Sequence, residues 1–459
     1  MAHTRAARGA KKRASGRTHR EVRDEPAEGS KAQEIERESN PFKRVFKLLG
    51  PGLVTGAAQM DPSAIATYAV AGAALGLGPL WTALYTLPLV IVAESTVGRI
   101  GLVAREGLAT ALRKHVPRPL LVGGIVLLVI ATVINIGADL GAIGEGVHML
   151  TGLPVQPLTI PAAALTAATV VFGSYRVISN VFKTITLAFL AYVVTAFFVH
   201  ASPGDIVGAT LVPSIPLDRH GLQVLVAVLG TTISPYLLFW QSDEEVEEKK
   251  EETEKRGAEA ARTSKADVRQ STIDVSAGMF SANLVMFCII LTTALTLHAN
   301  GKYDVRSGAD AAEALRPVLG DLASTLFAVG LIAAGLLAVP VLAGSAAYAV
   351  GETLGWRTGL DEKWWQAPPF YAVFIAATVV GVLLNFSGVS PIDALFLTSV
   401  IMGLISPLLL ALTVMVARDR RVMGSKERIG PWLTAAGVIA VVVMAAAVIG
   451  LFWSLLRGG

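Results

Sequence analysis

Cysteine is almost absent from this chain: Cys288 is the single thiol in 459 residues. One cysteine excludes an intrachain disulfide, and its apolar setting reads as a small buried hydrophobe, not a reactive nucleophile. Charge is scarce too, at 16% of residues against 53% hydrophobic, a balance that excludes a soluble enzyme and indicates a polytopic membrane protein. The charges that exist avoid the apolar runs and gather before Pro41, in 241–269 and in short connectors. The formal net charge of +4 therefore reflects loop lysines and arginines, and no nucleic-acid-binding motif accompanies it. His148, His200, His220 and His298 have no metal-ligand spacing between them, so no site is assigned to them. The amino-terminal segment lacks apolar periodicity and is expected to be a disordered tail over 1–41. Its basic start has no apolar core, so it is not read as a cleavable signal. Arg5, Arg8, Lys11, Lys12 and Arg13 either touch anionic lipid or are simply solvated.

Apolar windows of about 20 residues predict eleven spans, near 48–75, 79–104, 120–150, 154–173, 177–200, 221–246, 274–299, 321–353, 368–386, 391–417 and 430–456. Placing the amino-terminus inside puts Arg99, Arg105, Arg113, Lys114, Arg118, Arg176, Lys183, Arg357, Lys363, Arg418, Arg420, Arg421, Lys426 and Arg428 on the cytoplasmic side. Arg219, Lys302, Arg306 and Arg316 remain outside. That asymmetry gives the orientation and puts the carboxy-terminus outside. The expected location is a bacterial inner membrane.

Two spans are unusual. The first contains Met60-Asp61-Pro62-Ser63-Ala64 in an otherwise uncharged run. A carboxylate at mid-membrane costs about 2.5–3.5 kcal/mol on insertion scales, which makes it a candidate ion or substrate site. Pro62 removes an amide donor and breaks the helix, freeing carbonyls beside the acid. The bland alternative is a carboxylate satisfied by a partner deep in the bundle. The sixth span carries Gly230-Thr231-Thr232-Ile233-Ser234-Pro235-Tyr236, again small and polar residues around a proline. Interrupted helices at matching positions imply two inverted five-helix repeats with the site between them, unless both prolines are simple kinks. Asp61 and Ser234 are then expected to face one cavity.

At these residues the chain resembles the Nramp family of divalent-metal transporters, over nearly everything from Gly50 to Leu412. The resemblance rests on Gly50-Pro51-Gly52, Asp61-Pro62, Gly230-Thr231-Thr232, Ser234-Pro235 and Asp139-Leu140. It implies an all-α LeuT-type fold with a transporter domain over 42–459: repeat one about 44–200, repeat two about 221–417 and an extra helix about 430–456. The family's first-helix Asp-Pro-Gly-Asn is here Asp61-Pro62-Ser63-Ala64, and its sixth-helix Met-Pro-His is Ser234-Pro235-Tyr236. A second family histidine aligns with Gln241, a third-helix acid with Ala142, and no arginine occupies the ninth span. The remaining ligand set is all oxygen: Asp61, Ser234, Ser63 and the Ala58 and Thr231 carbonyls. Without a soft thioether, such a set suits a harder, wetter ion. The pattern resembles the magnesium-transporting branch of the family.

The expected function is therefore import of a divalent cation by alternating access, Mg2+ first and Mn2+ second, not coupled to protons. The alternative is a proton-coupled Mn2+/Fe2+ transporter of the ordinary Nramp type. Pro62, Ala64, Pro235, Tyr236, Gln241 and Asp139 are assigned to transport or gating, with Asp139 equally readable as a packing acid. The cation is cargo and no cofactor is expected. The expected partners are the cation and the lipid bilayer, with the chain a monomer. Three other classes are kept in view: an intramembrane aspartyl protease using Asp61 and Asp139, though without a Gly-x-Gly-Asp motif; a channel; and a LeuT-type amino-acid or sodium carrier. The acidic run 243–248 reads as a solvated helix or as an ion-steering vestibule. Glu94, Glu145 and Glu352 are read as gates or packing contacts, and Trp81, Trp240, Trp356, Trp364, Trp365 and Trp453 as interfacial anchors.

Overall fold

The computed structural model describes residues 30–39, 50–172, 192–198, 202–257, 262–424 and 428–457. The tail residues before 30, most of the expected fifth span at 177–200, and Arg176, Lys183 and Lys426 lie outside the described residues. The described chain is helical: α1 Lys31–Arg37, α2 Pro51–Gln59, α3 Pro62–Leu75, α4 Leu80–Ala104, α5 Leu108–His115, α6 Arg118–Thr151, α7 Val155–Phe172 and α8 Pro203–Leu211. It continues with α9 Arg219–Thr232, α10 Pro235–Arg256, α11 Lys265–Thr296, α12 Leu322–Leu354, α13 Pro368–Leu384, α14 Pro391–Arg418 and α15 Pro431–Leu456. Among the described residues seven helical stretches are long and apolar enough to cross a membrane, and Pro62–Leu75, Val155–Ala168 and Pro368–Leu384 are shorter apolar helices.

Both expected breaks are present. Met60 (φ −90°, ψ 46°) and Asp61 (φ −66°, ψ 166°) leave the helix between α2 and α3. Ile233 (φ −110°, ψ 69°) and Ser234 (φ −74°, ψ 123°) do so between α9 and α10. Pro62 and Pro235 each open the following helix, where an amide hydrogen would have no intrahelical acceptor. The four half-helices meet one another and pack on α6, α11 and α14. Small residues permit the closest crossings. A Cβ on Gly56 would lie 2.5 Å from the Gly278 Cα, so α2 meets α11 backbone to backbone.

Three expectations change in the folded chain. The tail is not disordered throughout: α1 docks at the end of α10, with Ala32 and Ile35 buried. Lys31 holds it there, its ammonium 2.5 Å from Glu248 and its amide 2.6 Å from Glu252. The acidic run is not a solvated helix, because Asp243, Glu244 and Glu245 are buried. Helices α4, α5 and α12 pack around this part of α10, and polar neighbours supply hydrogens, as Ser271 (2.5 Å) and Gln241 (3.0 Å) do for Glu245. Nearby, hydrogen bonds from Lys250 (2.8 Å) and Arg357 (2.6 Å) hold the Glu362 carboxyl below its ordinary range. Trp240 is also buried, against Tyr348, and so is no interfacial anchor. Of the three isolated glutamates, Glu352 accepts the Thr110 amide (2.9 Å) and Glu145 the Gly308 amide (3.3 Å), while Glu94 is buried with neither oxygen hydrogen-bonded. Cys288 is buried.

Candidate functional site

Asp61 sits at the first break with 1% of its surface exposed, and four donors converge on its carboxylate. Oδ1 accepts the Ser63 hydroxyl (2.6 Å) and the Ala64 amide (2.7 Å). These bonds follow from local sequence, since Asp61 is the N-cap of α3 and caps accept from the first turn. Ala64 thus contributes its backbone, although its side chain offers no ligand. Oδ2 accepts from two other helices: Asn135 Nδ2 of α6 (3.2 Å) and the Tyr236 hydroxyl of α10 (3.2 Å). Hydrogen bonds to a charged group contribute about 1.5–3 kcal/mol each, enough together to offset much of the cost of a buried carboxylate.

The Tyr236 hydroxyl also lies 3.3 Å from the Ala58 carbonyl oxygen. It therefore bridges the two broken helices, joining the carbonyl at the end of α2 to the acid at the start of α3. Ser234 and Thr231 are arranged differently from the expectation. The Ser234 hydroxyl donates to the Thr231 carbonyl (2.8 Å) and lies 3.2 Å from the Gly230 carbonyl. These two expected ligands are thus bonded to each other, and neither is hydrogen-bonded to Asp61. A second polar bridge lies beside them, Tyr68 hydroxyl to Thr232 (2.9 Å).

Gln241 stands two turns further along α10, between the Thr55 hydroxyl (2.5 Å) and Glu245 (3.0 Å). It ties α2 to α10 and stays away from Asp61. Asp139 is fully buried, and neither of its oxygens has a well-formed hydrogen bond; the Ser63 amide lies toward it and Asp61 is close enough to act on it electrostatically. Asn135 went unread in the sequence. It is four residues before Asp139, hence on the same helical face, and that polar pair in an apolar span was the available signal. Its Oδ1 accepts the Thr398 hydroxyl of α14 (2.8 Å). Among the described residues no group of three or more His, Cys, Asp or Glu side chains could hold a metal ion. Any cation here must complete its shell with neutral oxygens.

Residues 52–454 match the family model described as natural resistance-associated macrophage protein-like, Nramp. The chain belongs to the Nramp family. The Nramp chain is 28% identical over 304 residues to a divalent metal cation transporter MntH of Mesorhizobium japonicum, covering 64% of this chain and 65% of that relative. It is 24% identical over 407 residues to MntH of Vibrio campbellii, covering 88% and 90%. A solved manganese transporter of Eremococcus coleocola, in complex with an aromatic bis-isothiourea substituted compound, superposes with a TM-score of 0.72 at 16% identity, covering 95% and 90%. Mhp1, a nucleobase-cation-symport-1 family transporter, gives 0.56 at 15% identity over 89% and 93%. MhsT in complex with L-phenylalanine gives 0.54 at 14% identity over 88% and 98%. At these identities the solved structures speak to fold alone. The fold of this Nramp chain is the expected all-α LeuT type with two broken helices.

Proposed function

We propose that the chain carries divalent metal cations across a membrane by alternating access, with Asp61 as its charged ligand and manganese as the first cation to test. The observation that carries this reading is a buried carboxylate at the break of a helix, bonded across to a second broken helix, in an Nramp chain. The relatives point to divalent metal cations, and manganese is the cation named among them. Those quoted are named divalent metal cation transporters, and the solved neighbour is a manganese transporter. That supports the ordinary, proton-coupled Nramp reading ahead of the uncoupled magnesium carrier first expected. Magnesium remains a second reading for one reason: the family's sixth-helix methionine is Ser234 here, which offers a hard oxygen in place of a thioether. The protease reading has no comparable support, since all four bonds of Asp61 go to groups other than Asp139. A cytoplasmic amino-terminus in an inner membrane, a monomer, and a transporter domain over 42–459 complete the proposal.

The test is competition among manganese, magnesium and calcium for uptake into proteoliposomes, with lumenal pH recorded. Saturable manganese uptake is expected, lost in Asp61→Ala at unchanged melting temperature. Acidification in step with uptake selects the proton-coupled form. Wild-type uptake by Asp61→Ala would sink the reading.

A further inference from the structure

The arrangement around Asp61 contains a buried amide, that of Asn135, which lies outside the first- and sixth-helix motifs. Oδ1 is held by Ser63 and Ala64 of its own helix, while Oδ2 faces groups of two other helices. Its two neighbours are Asn135 and Tyr236, each 3.2 Å away, and the Tyr236 hydroxyl is 3.3 Å from the Ala58 carbonyl. Adjacent oxygens of an octahedral shell are about 2.9 Å apart for bonds of magnesium length, and about 3.3–3.7 Å apart at calcium length. The hydrogen-bond distances of 3.2, 3.2 and 3.3 Å thus hold Asn135, Oδ2, Tyr236 and Ala58 about as close as groups that share one ion.

Asn135 at present offers its NH2 to Asp61, and a cation would meet the wrong end of the amide. The surroundings allow the reversal. A half-turn of the carboxamide brings Oδ1 to the site and Nδ2 to Thr398, whose hydroxyl accepts as well as it donates. The Thr398 hydrogen then goes to the Leu395 carbonyl, already 2.8 Å away. Every polar group stays bonded in both arrangements, so the turn leaves none unsatisfied. Asn135 is 1% exposed and held between α3 and α14, so its carboxamide has no other place to go.

We propose that Asn135 is a cation ligand and a determinant of ion preference: it caps the charge of Asp61 with hydrogens when the site is free, and turns its oxygen inward when a divalent cation binds. This rests on the transport reading above, and the test separates the two. The full-length protein is reconstituted as wild type, Asn135→Leu, Asn135→Asp and Asp61→Ala, and manganese uptake is measured alone and against magnesium. Asn135→Leu, of similar size and without polarity, is expected to raise the KM for manganese at least tenfold with the melting temperature near wild type. Asn135→Asp gives the ion a second carboxylate and is expected to move the manganese-to-magnesium ratio at least threefold. A folded Asn135→Leu with wild-type KM and ion ratio, beside an inactive Asp61→Ala, overturns the ligand role and leaves the transport reading standing. Normal uptake by Asp61→Ala removes both. If Asn135→Leu does not fold, Asn135→Asp decides: an unchanged KM and ratio overturns the proposal, and a shifted ratio supports it.

Discussion

A carboxylate in an apolar bundle is stable only where hydrogens reach it, and Asp61 draws them from three helices. Two of its donors are neighbours in sequence and two come from far along the chain. The first pair follows from a short window, since an aspartate before a proline can cap the next helix, although in the sequence Asp61 reads as an ion site and not as a cap. The second pair does not, because nothing local in residues 130–140 says which helix Asn135 will face. Ser234 shows the same limit. Its hydroxyl was expected to reach the ion, yet it donates to the Thr231 carbonyl. Replacing it tests that geometry. Ser234→Met removes the bond, frees the carbonyl and adds a thioether that prefers softer metals. Cadmium should then inhibit manganese uptake at about tenfold lower concentration, measured as an IC50 in proteoliposomes. An unchanged IC50 would mean that the side chain at 234 does not face the ion.

The broken helices are the elements that define the protein, and their closeness depends on glycine. Adding a Cβ to Gly56 would drive it into the Gly278 backbone, with 2.5 Å to the Gly278 Cα. Neither backbone yields easily, since each belongs to a packed helix. Overpacking of this kind costs about 1–3 kcal/mol. Gly56→Ala is therefore expected to lower the melting temperature of the detergent-solubilised protein by several degrees. Gly123→Ala, where nothing lies within 4 Å of the added carbon, should leave it unchanged or raise it. Equal effects of the two variants would contradict a close α2–α11 crossing. The breaks themselves were readable from Pro62 and Pro235. Which helix each half would lie against was not. The acidic run of α10 is the sharpest case: by composition it belongs in water, yet the fold surrounds it.

At the scale of the molecule, a carrier of divalent ions moves charge, and the membrane potential acts on both units of it. That contribution is about 4.6 kcal/mol per 100 mV, twice the value for a single charge, which corresponds to a gradient of about a thousandfold. Manganese uptake should therefore accelerate when a potassium diffusion potential makes the vesicle interior negative and slow when it is reversed. Uptake indifferent to the imposed potential would argue against net movement of charge with the ion.

The sequence by itself determined that this chain lives in a membrane, that its first and sixth apolar segments break at prolines, and that one uncharged span carries an acid. These are properties of hydrophobic runs and of backbone donors, and a short window of residues contains them. Tertiary packing alone decided that Asn135 and Tyr236 bind the second oxygen of Asp61 and that the acids of α10 are enclosed. Each of these contacts joins residues on different helices. Their identity depends on which helical faces meet, and that is settled by how whole helices fit together.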